Sequence, residues 1–370
     1  MTNYYMPTKI VGGENALVDN APLLGGLGKK ALIVTGRSSA KKNGSLDDVI
    51  RALEANGQVY ALFDRVTANP TIAGVFEAAE LARREACDFV VAVGGGSSMD
   101  TGKAVAAIAV NSLSARALFT TPFDKALPVA AVPTTAGTGS EVTQYAILNN
   151  DAIQSKSSLS SPLLFPRVAF LDARYILSLS RNTLINTALD ALSHAVEGML
   201  GARASAFTDA AAKSGIRAFA ECLSALRSGR IDDPAVREKL LFAATLDGTV
   251  IANTGTIAVH ALGYSLTYFR HIDHGRANGL LLGAYLRFVQ RKEKASGANR
   301  VGEILAALGM DSLDEFDVVI DGLLGEREKF TDAEIEQYAG IALQAKHIAN
   351  SAVRPDKADL LEVLARSLGG

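Results

Sequence analysis

Short apolar runs alternate with helical patterns from the start of the chain to about residue 175, and then the apolar runs stop. KKALIVTG (29–36) reads as a buried strand that ends in glycine. SLDDVIRALEANG (45–57) follows it with a serine N-cap, an acidic first turn and a glycine stop, all helix signals. QVYALF is a second strand and residues 71–86 a second helix. DFVVAV (88–93), then a helix over 98–110, then LPVAAVP (127–133) continue the alternation. Buried strands separated by helices imply a parallel sheet covered on both faces. After VAFLD (168–172) only alanine- and leucine-rich helical segments follow. The pattern predicts an α/β domain over 1–176 and an all-helical domain over 177–370.

Length agrees, since 370 residues suit two domains. A hydrophobic share of 48% with 21% charged residues fits a globular chain with a substantial core. The net charge of −2, with no basic run, gives no reason to expect nucleic acid or an anionic membrane as partner. No run of apolar residues is long enough to expect a membrane span, and MTNYYMPTK does not read as a secretory peptide. Cys87 and Cys222 lack a C-x-x-C partner and read as free, buried thiols in a reducing cytoplasm.

TALDALSHAVE (187–197) reads as one amphipathic helix carrying Asp190 and His194, four residues apart and so on one face. On its own such a pair reads as a surface ion pair. The chain has five histidines, however, and two of them, His260 and His274, share the stretch VHALGYSLTYFRHIDHGRANG. An Asp/His/His/His set suits a borderline divalent ion such as Fe(II) or Zn(II), whereas Mg or Ca prefers all-oxygen ligands.

Two loops follow strands in the first half. In DFVVAVGGGSSMDTGKA, Gly94, Gly95 and Gly96 allow close backbone approach, and the helix after them offers unpaired N–H groups. A pyrophosphate is the natural occupant, although the run matches neither G-x-G-x-x-G nor a Walker loop. PTTAGTGSEVT (133–143) places many small donors at the carboxyl end of the sheet, where α/β sheets bind ligands.

Taken together, GGGSSMD, PTTAGTGSEVT, DALSHAVE and HALGYSL…HGRANG resemble the iron-containing (group III) alcohol dehydrogenase family over nearly the whole chain. The resemblance is nearest to the branch of 1,3-propanediol and butanol dehydrogenases. It implies a dehydroquinate-synthase-like fold: an α/β dinucleotide domain, an all-helical metal domain and an active site between them. It places metal ligands on Asp190, His194, His260 and His274. It places cofactor contacts on Asn69, Gly95, Gly96, Ser97, Asp100, Thr134, Thr135, Thr138 and Lys156. Many members carry a second histidine four residues after the third ligand, where this chain has Tyr264. Tyr264, His271 or water is therefore the candidate for handling the proton, with a packed aromatic and a wall residue as the plainer readings of the two side chains. His347 is expected on a solvated helix face.

The implied chemistry is hydride transfer between a nicotinamide and a short primary alcohol, diol or aldehyde, with a metal acting on the substrate oxygen. A homodimer is common in such a family. Two other readings stand beside it: an oxo-acid reductase of the maleylacetate type, and a non-catalytic nucleotide- or metal-sensing module. An acidic substrate needs an arginine clamp, and only Arg270 and Arg276 lie near the motif. NAD-preferring members commonly place aspartate after the Val-Thr that ends the first strand. Here Gly36 stands there, followed by Arg37, Ser38 and Ser39, so NADP(H) is expected over NAD(H).

Overall fold

The unit Met6–Leu179 opens with β1 (Lys9–Gly12) and two one-turn helices, α1 (Ala16–Asp19) and α2 (Pro22–Gly25). There follow β2 (Lys30–Gly36), α3 (Ser39–Lys42), α4 (Ser45–Ala55), β3 (Val59–Val66), α5 (Ile72–Arg84), β4 (Phe89–Gly94), α6 (Gly96–Ile108) and β5 (Val129–Pro133). An antiparallel hairpin, β6 (Tyr145–Asn150) and β7 (Ser155–Ser160), precedes β8 (Val168–Leu171). This computed structural model describes residues 4–369.

Six strands form one sheet in the order β1-β8-β5-β4-β2-β3, and every pair in it is parallel. Side chains alternate across a strand, and both faces of this sheet are buried. Leu32, Val34 and Val90 join one apolar cluster with Val75, Ala78 and Ile108. Ala31, Ile33, Val91 and Val93 join another with Val49 and Leu53. Each fully buried Val, Leu or Ile contributes about 1.5–3 kcal/mol, which explains why these strands read as unbroken apolar runs. The chain leaves β2 outward to β3 and returns to β4 on the other side of β2. The topological switch point therefore lies between β2 and β4.

One local expectation needs correction. Ser45 is the first residue of α4 and not its cap; Gly44 takes that place with φ 81, a left-handed conformation that glycine adopts freely. The Ser45 hydroxyl turns back to Asn43 Oδ1 at 2.7 Å.

Among the described residues, the second unit runs from Ser180 to Gly369 and includes Tyr4 and Tyr5. It contains α7 (Arg181–Met199), α8 (Ala206–Ser228), α9 (Pro234–Thr254), α10 (Ala258–Arg270), α11 (His274–Ser296), α12 (Arg300–Leu308), α13 (Leu313–Leu324), α14 (Asp332–Leu343) and α15 (Lys357–Leu368). Ser180 caps α7 by accepting from Thr183 N at 3.2 Å. Helix α11 abuts α7 so closely that a Cβ on Gly275 would fall inside the carbonyl oxygen of Asn186. A Cβ on Gly263, on α10, would likewise meet Asn278 of α11. Among the described residues no single helix is long and apolar enough to cross a membrane; α9 and α10 combine sufficient length and apolarity only as a pair, across a 111° bend.

Candidate active site

In the helical unit, α7 supplies Asp190 and His194 from one face, α10 supplies His260 near its start, and α11 begins at His274. Asp190, His194 and His260 are buried and His274 is half-buried. The Nε2 atoms of His194 and His260 each lie 3.9 Å from Asp190 Oδ1, and that of His274 lies 3.7 Å away. Ligand atoms of Asp190, His260 and His274 all fall within 4.8 Å of one another. The His194 ring stacks on His260, centroids 4.9 Å apart. Three imidazole nitrogens converging on one buried carboxylate oxygen form a donor set that fits a divalent cation.

Two buried residues around this set escaped the sequence reading. Asn278 Nδ2 donates to Asp190 Oδ1 at 3.0 Å and lies 3.3 and 3.4 Å from Nε2 of His260 and His274. Glu197 places one oxygen against His260 Nδ1. Its other oxygen accepts from the N–H groups of Ile257 and His260 at 3.1 and 3.2 Å. Burial pushes the Glu197 carboxyl up to about 7, and the N–H groups of His260 and Ile257 oppose that shift by favouring the carboxylate. A signal existed for both: Glu197 lies three residues past His194, and Asn278 four past His274, both helical-face spacings.

Tyr264 is buried, its ring 5.4 Å from that of His274 and 6.2 Å from that of His260. His271 is exposed and takes the left-handed conformation, φ 53, that ends α10. His347 does not sit on a solvated helix face. It lies in a 3₁₀ turn, Lys346–Asn350, with its ring edge-on to Tyr264 at 5.3 Å. Burial depresses its pKa to about 4. The segment is too short for a helix face, and the imidazole finds its partner in the tyrosine ring.

In the α/β unit the carboxyl ends of β2, β4 and β5 line up, with Thr35 opposite Val93 and Gly94 opposite Pro133. Gly95, Gly96 and Ser97 form the partly exposed start of the thirteen-residue α6. The two loops read separately in sequence press on each other: a Cβ on Gly95 would crowd Thr135, and one on Gly96 would collide with Thr138. Thr134 is buried, while Thr135 and Thr138 are half-buried. Asn69 is left-handed at φ 54, and Lys156 is half-buried on β7.

Asp100 is engaged inside the protein. Its Oδ1 accepts from Ser140 Oγ at 2.5 Å and its Oδ2 from Ile147 N at 3.1 Å. Lys103, fully buried and absent from the sequence reading, lies 3.3 Å from that carboxylate. It also donates to Ser140 Oγ at 2.6 Å and to the Thr143 carbonyl at 3.3 Å. Burial pulls its ammonium below the ordinary lysine range, and Asp100 opposes that shift. Asp100 and Lys103 thus tie α6 to the threonine-rich loop. Gly36 is half-buried, and a Cβ there would make only an ordinary van der Waals contact, with Val66 O at 3.6 Å. Arg37, Ser38, Ser39 and Lys42 are exposed, and Lys41 pairs with Asp64 at 2.5 Å.

Residues 7–173 match the profile of iron-containing alcohol dehydrogenases, and residues 184–368 match the C-terminal profile of the same family. The chain belongs to the iron-containing alcohol dehydrogenases. A 1,3-propanediol dehydrogenase of Klebsiella pneumoniae is 35% identical over 324 residues, covering 85% of this chain and 82% of the relative. An NAD-dependent methanol dehydrogenase of Bacillus methanolicus is 31% identical over 284 residues, covering 76% and 74%. The crystal structure of an iron-containing alcohol dehydrogenase from Thermotoga maritima superposes with a TM-score of 0.92 at 36% identity, covering 100% of both chains. As an iron-containing alcohol dehydrogenase, the protein is an oxidoreductase acting on small molecules, with a parallel-sheet N-terminal part and a helical C-terminal part.

Proposed function

We propose that the protein interconverts a short primary alcohol or diol with its aldehyde, using NADP(H) in preference to NAD(H) and a divalent iron held by Asp190, His194, His260 and His274. The observation that carries this reading is the convergence of three imidazole Nε2 atoms within 3.9 Å of Asp190 Oδ1. Zn(II) suits the same donors. When bound, the metal supplies Lewis acidity toward a substrate oxygen and the nicotinamide supplies hydride chemistry.

The chain's own residues do the rest. Amides at the start of α6, from Gly95 to Ser97, offer donors to a pyrophosphate. Thr134, Thr135 and Thr138 border the same loop, with Asn69 and Lys156 as further cofactor contacts. Asp100 contributes by holding the two loops together. Tyr264, beside His274, holds the proton exchanged with the alcohol oxygen; His271, more exposed, is the second candidate. The absence of a side chain at Gly36 and the exposed Arg37 that follows it support the NADP(H) reading, since a guanidinium can neutralise a 2′-phosphate.

The oxo-acid reading loses support from the arginines. Arg276 binds Glu328 through Nε and Nη2, at 2.7 and 3.0 Å, and Arg270 pairs with Glu334 at 2.5 Å. Both guanidinium groups are thus committed to carboxylates of the chain itself. Two buried free thiols support a reducing, cytoplasmic setting, and a homodimer is the proposed assembly.

The test is a screen of short alcohols, diols and aldehydes with Fe(II)-reconstituted protein, before and after chelation. Activity should vanish on chelation and return with Fe(II). Full activity in exhaustively metal-free protein would overturn the metal reading, and activity confined to oxo-acids would overturn the substrate reading.

A further inference from the structure

Asp190, His194 and Glu197 leave one face of α7, at helical spacings of four and three residues. The first two point their donor atoms into the cation set. Glu197, fully buried, reaches across to α10.

Helix α10 begins without a side-chain cap of its own: Ile257 occupies the cap position and has no side-chain oxygen to offer. The first N–H groups of any helix need acceptors from elsewhere. Glu197 Oε1 provides one for Ile257 N and His260 N, at 3.1 and 3.2 Å. Glu197 Oε2 is left against His260 Nδ1.

An imidazole nitrogen facing a carboxylate is satisfied when it carries the hydrogen. The neutral ring then has its lone pair on Nε2. Nε2 is the atom that faces Asp190 Oδ1, at 3.9 Å. We propose that Glu197 is a positioning residue: it fixes the Nδ1–H tautomer and the ring orientation of His260, so that Nε2 is available to a divalent cation. This inference rests on reading the Asp/His/His/His set as a metal site.

The same carboxylate thereby settles where α10 starts and which nitrogen of His260 binds. One oxygen anchors the backbone and the other orients the side chain of the third residue of the same helix. Such carboxylate–histidine partners typically set metal affinity by 10–100-fold.

Glu197→Gln separates the two roles. A glutamine keeps Oε1 as acceptor for both N–H groups, so the cap survives. Its amide nitrogen faces Nδ1 as a donor, which demands the opposite tautomer and places a hydrogen on Nε2. The full chain loaded with Co(II) or Zn(II) is challenged with graded chelator, and the apparent metal affinity is read directly. Glu197→Gln should fold with a wild-type circular dichroism spectrum and bind metal about 10–100-fold more weakly. Wild-type affinity in that variant overturns the inference. A wild-type protein that binds no metal overturns the metal site itself, which is a separate outcome. If Glu197→Gln does not fold, ¹⁵N-imidazole NMR of the metal-free wild type decides the matter. His260 should carry its hydrogen on Nδ1, and finding it on Nε2 overturns the inference.

Discussion

The ring of His347 stands edge-on to the ring of Tyr264, centroids 5.3 Å apart and planes at 86°. An aromatic contact of this kind is worth about 0.5–1.5 kcal/mol beyond the area it buries. His347→Ala should lower Tm, and His347→Phe should restore most of the loss, because the contact needs an aromatic edge and not a titratable group. Tyr264→Phe keeps the packing and removes only the hydroxyl. If the phenol handles the proton, kcat should fall about 10²-fold with little change in Tm. A change of less than a few-fold would assign Tyr264 to packing alone.

Cofactor choice turns on Gly36. The wild type should show a higher kcat/KM with NADPH than with NADH. Gly36→Asp has room to place a carboxylate there, since only Val66 O lies nearby. That carboxylate should repel a 2′-phosphate and accept from a 2′-hydroxyl, reversing the preference. A wild type that prefers NADH would point to another residue, and Asp64, already next to Lys41, is the first to examine.

Lys103 is a buried clamp whose removal strands Asp100. Lys103→Met leaves that carboxylate without its cation, a loss of about 3–5 kcal/mol in comparable buried pairs. Beyond the drop in Tm, loosening the loop that carries Thr134 to Thr138 should weaken NADPH binding, measured by fluorescence titration. Unchanged affinity would separate the clamp from the cofactor site.

Asp247 is a second buried carboxyl, and burial alone raises its pKa well above 3.8. Its Oδ1 has no hydrogen-bond partner among the described residues. The folded state therefore holds a proton that the unfolded chain gives up, so stability falls as pH rises above 3.8. The slope is about 1.4 kcal/mol per pH unit while the folded carboxyl stays protonated. Asp247→Asn removes that dependence. Its Tm should match the wild type near pH 4 and exceed it increasingly as pH rises above that, as read by thermal melts across pH.

The strands legible in sequence are those buried on both faces. Val90, Val91 and Val93 of β4 and Val129 to Val132 of β5 carry no polar interruption. Strand β1 does not read as a strand, because it is a short edge strand with three of its four residues exposed. The β6–β7 hairpin was missed because Asn149, Asn150 and the serines of β7 mask any apolar alternation. At the site, Asp190 and His194 announce themselves by a spacing of four. Glu197 shares their helical face; what hides it, and Lys103 with it, is that a charge in a sequence reads as solvated until burial is known. His347 reads as solvated for the same reason: Tyr264, which its ring meets, lies on α10, remote in the chain.

Helices α7, α10 and α11 can hold their donors in register only because Gly275 and Gly263 let them touch. In a library covering every single substitution, those two glycines should be depleted about as severely as the four donor residues, although neither carries any reactive group. Alanine should fail there as thoroughly as leucine, since the first carbon is already the obstacle. Loss of function at such positions would report a spacing tolerance between helices; at Gly275 the obstacle is the backbone oxygen of Asn186, so no second-site side-chain change should rescue it.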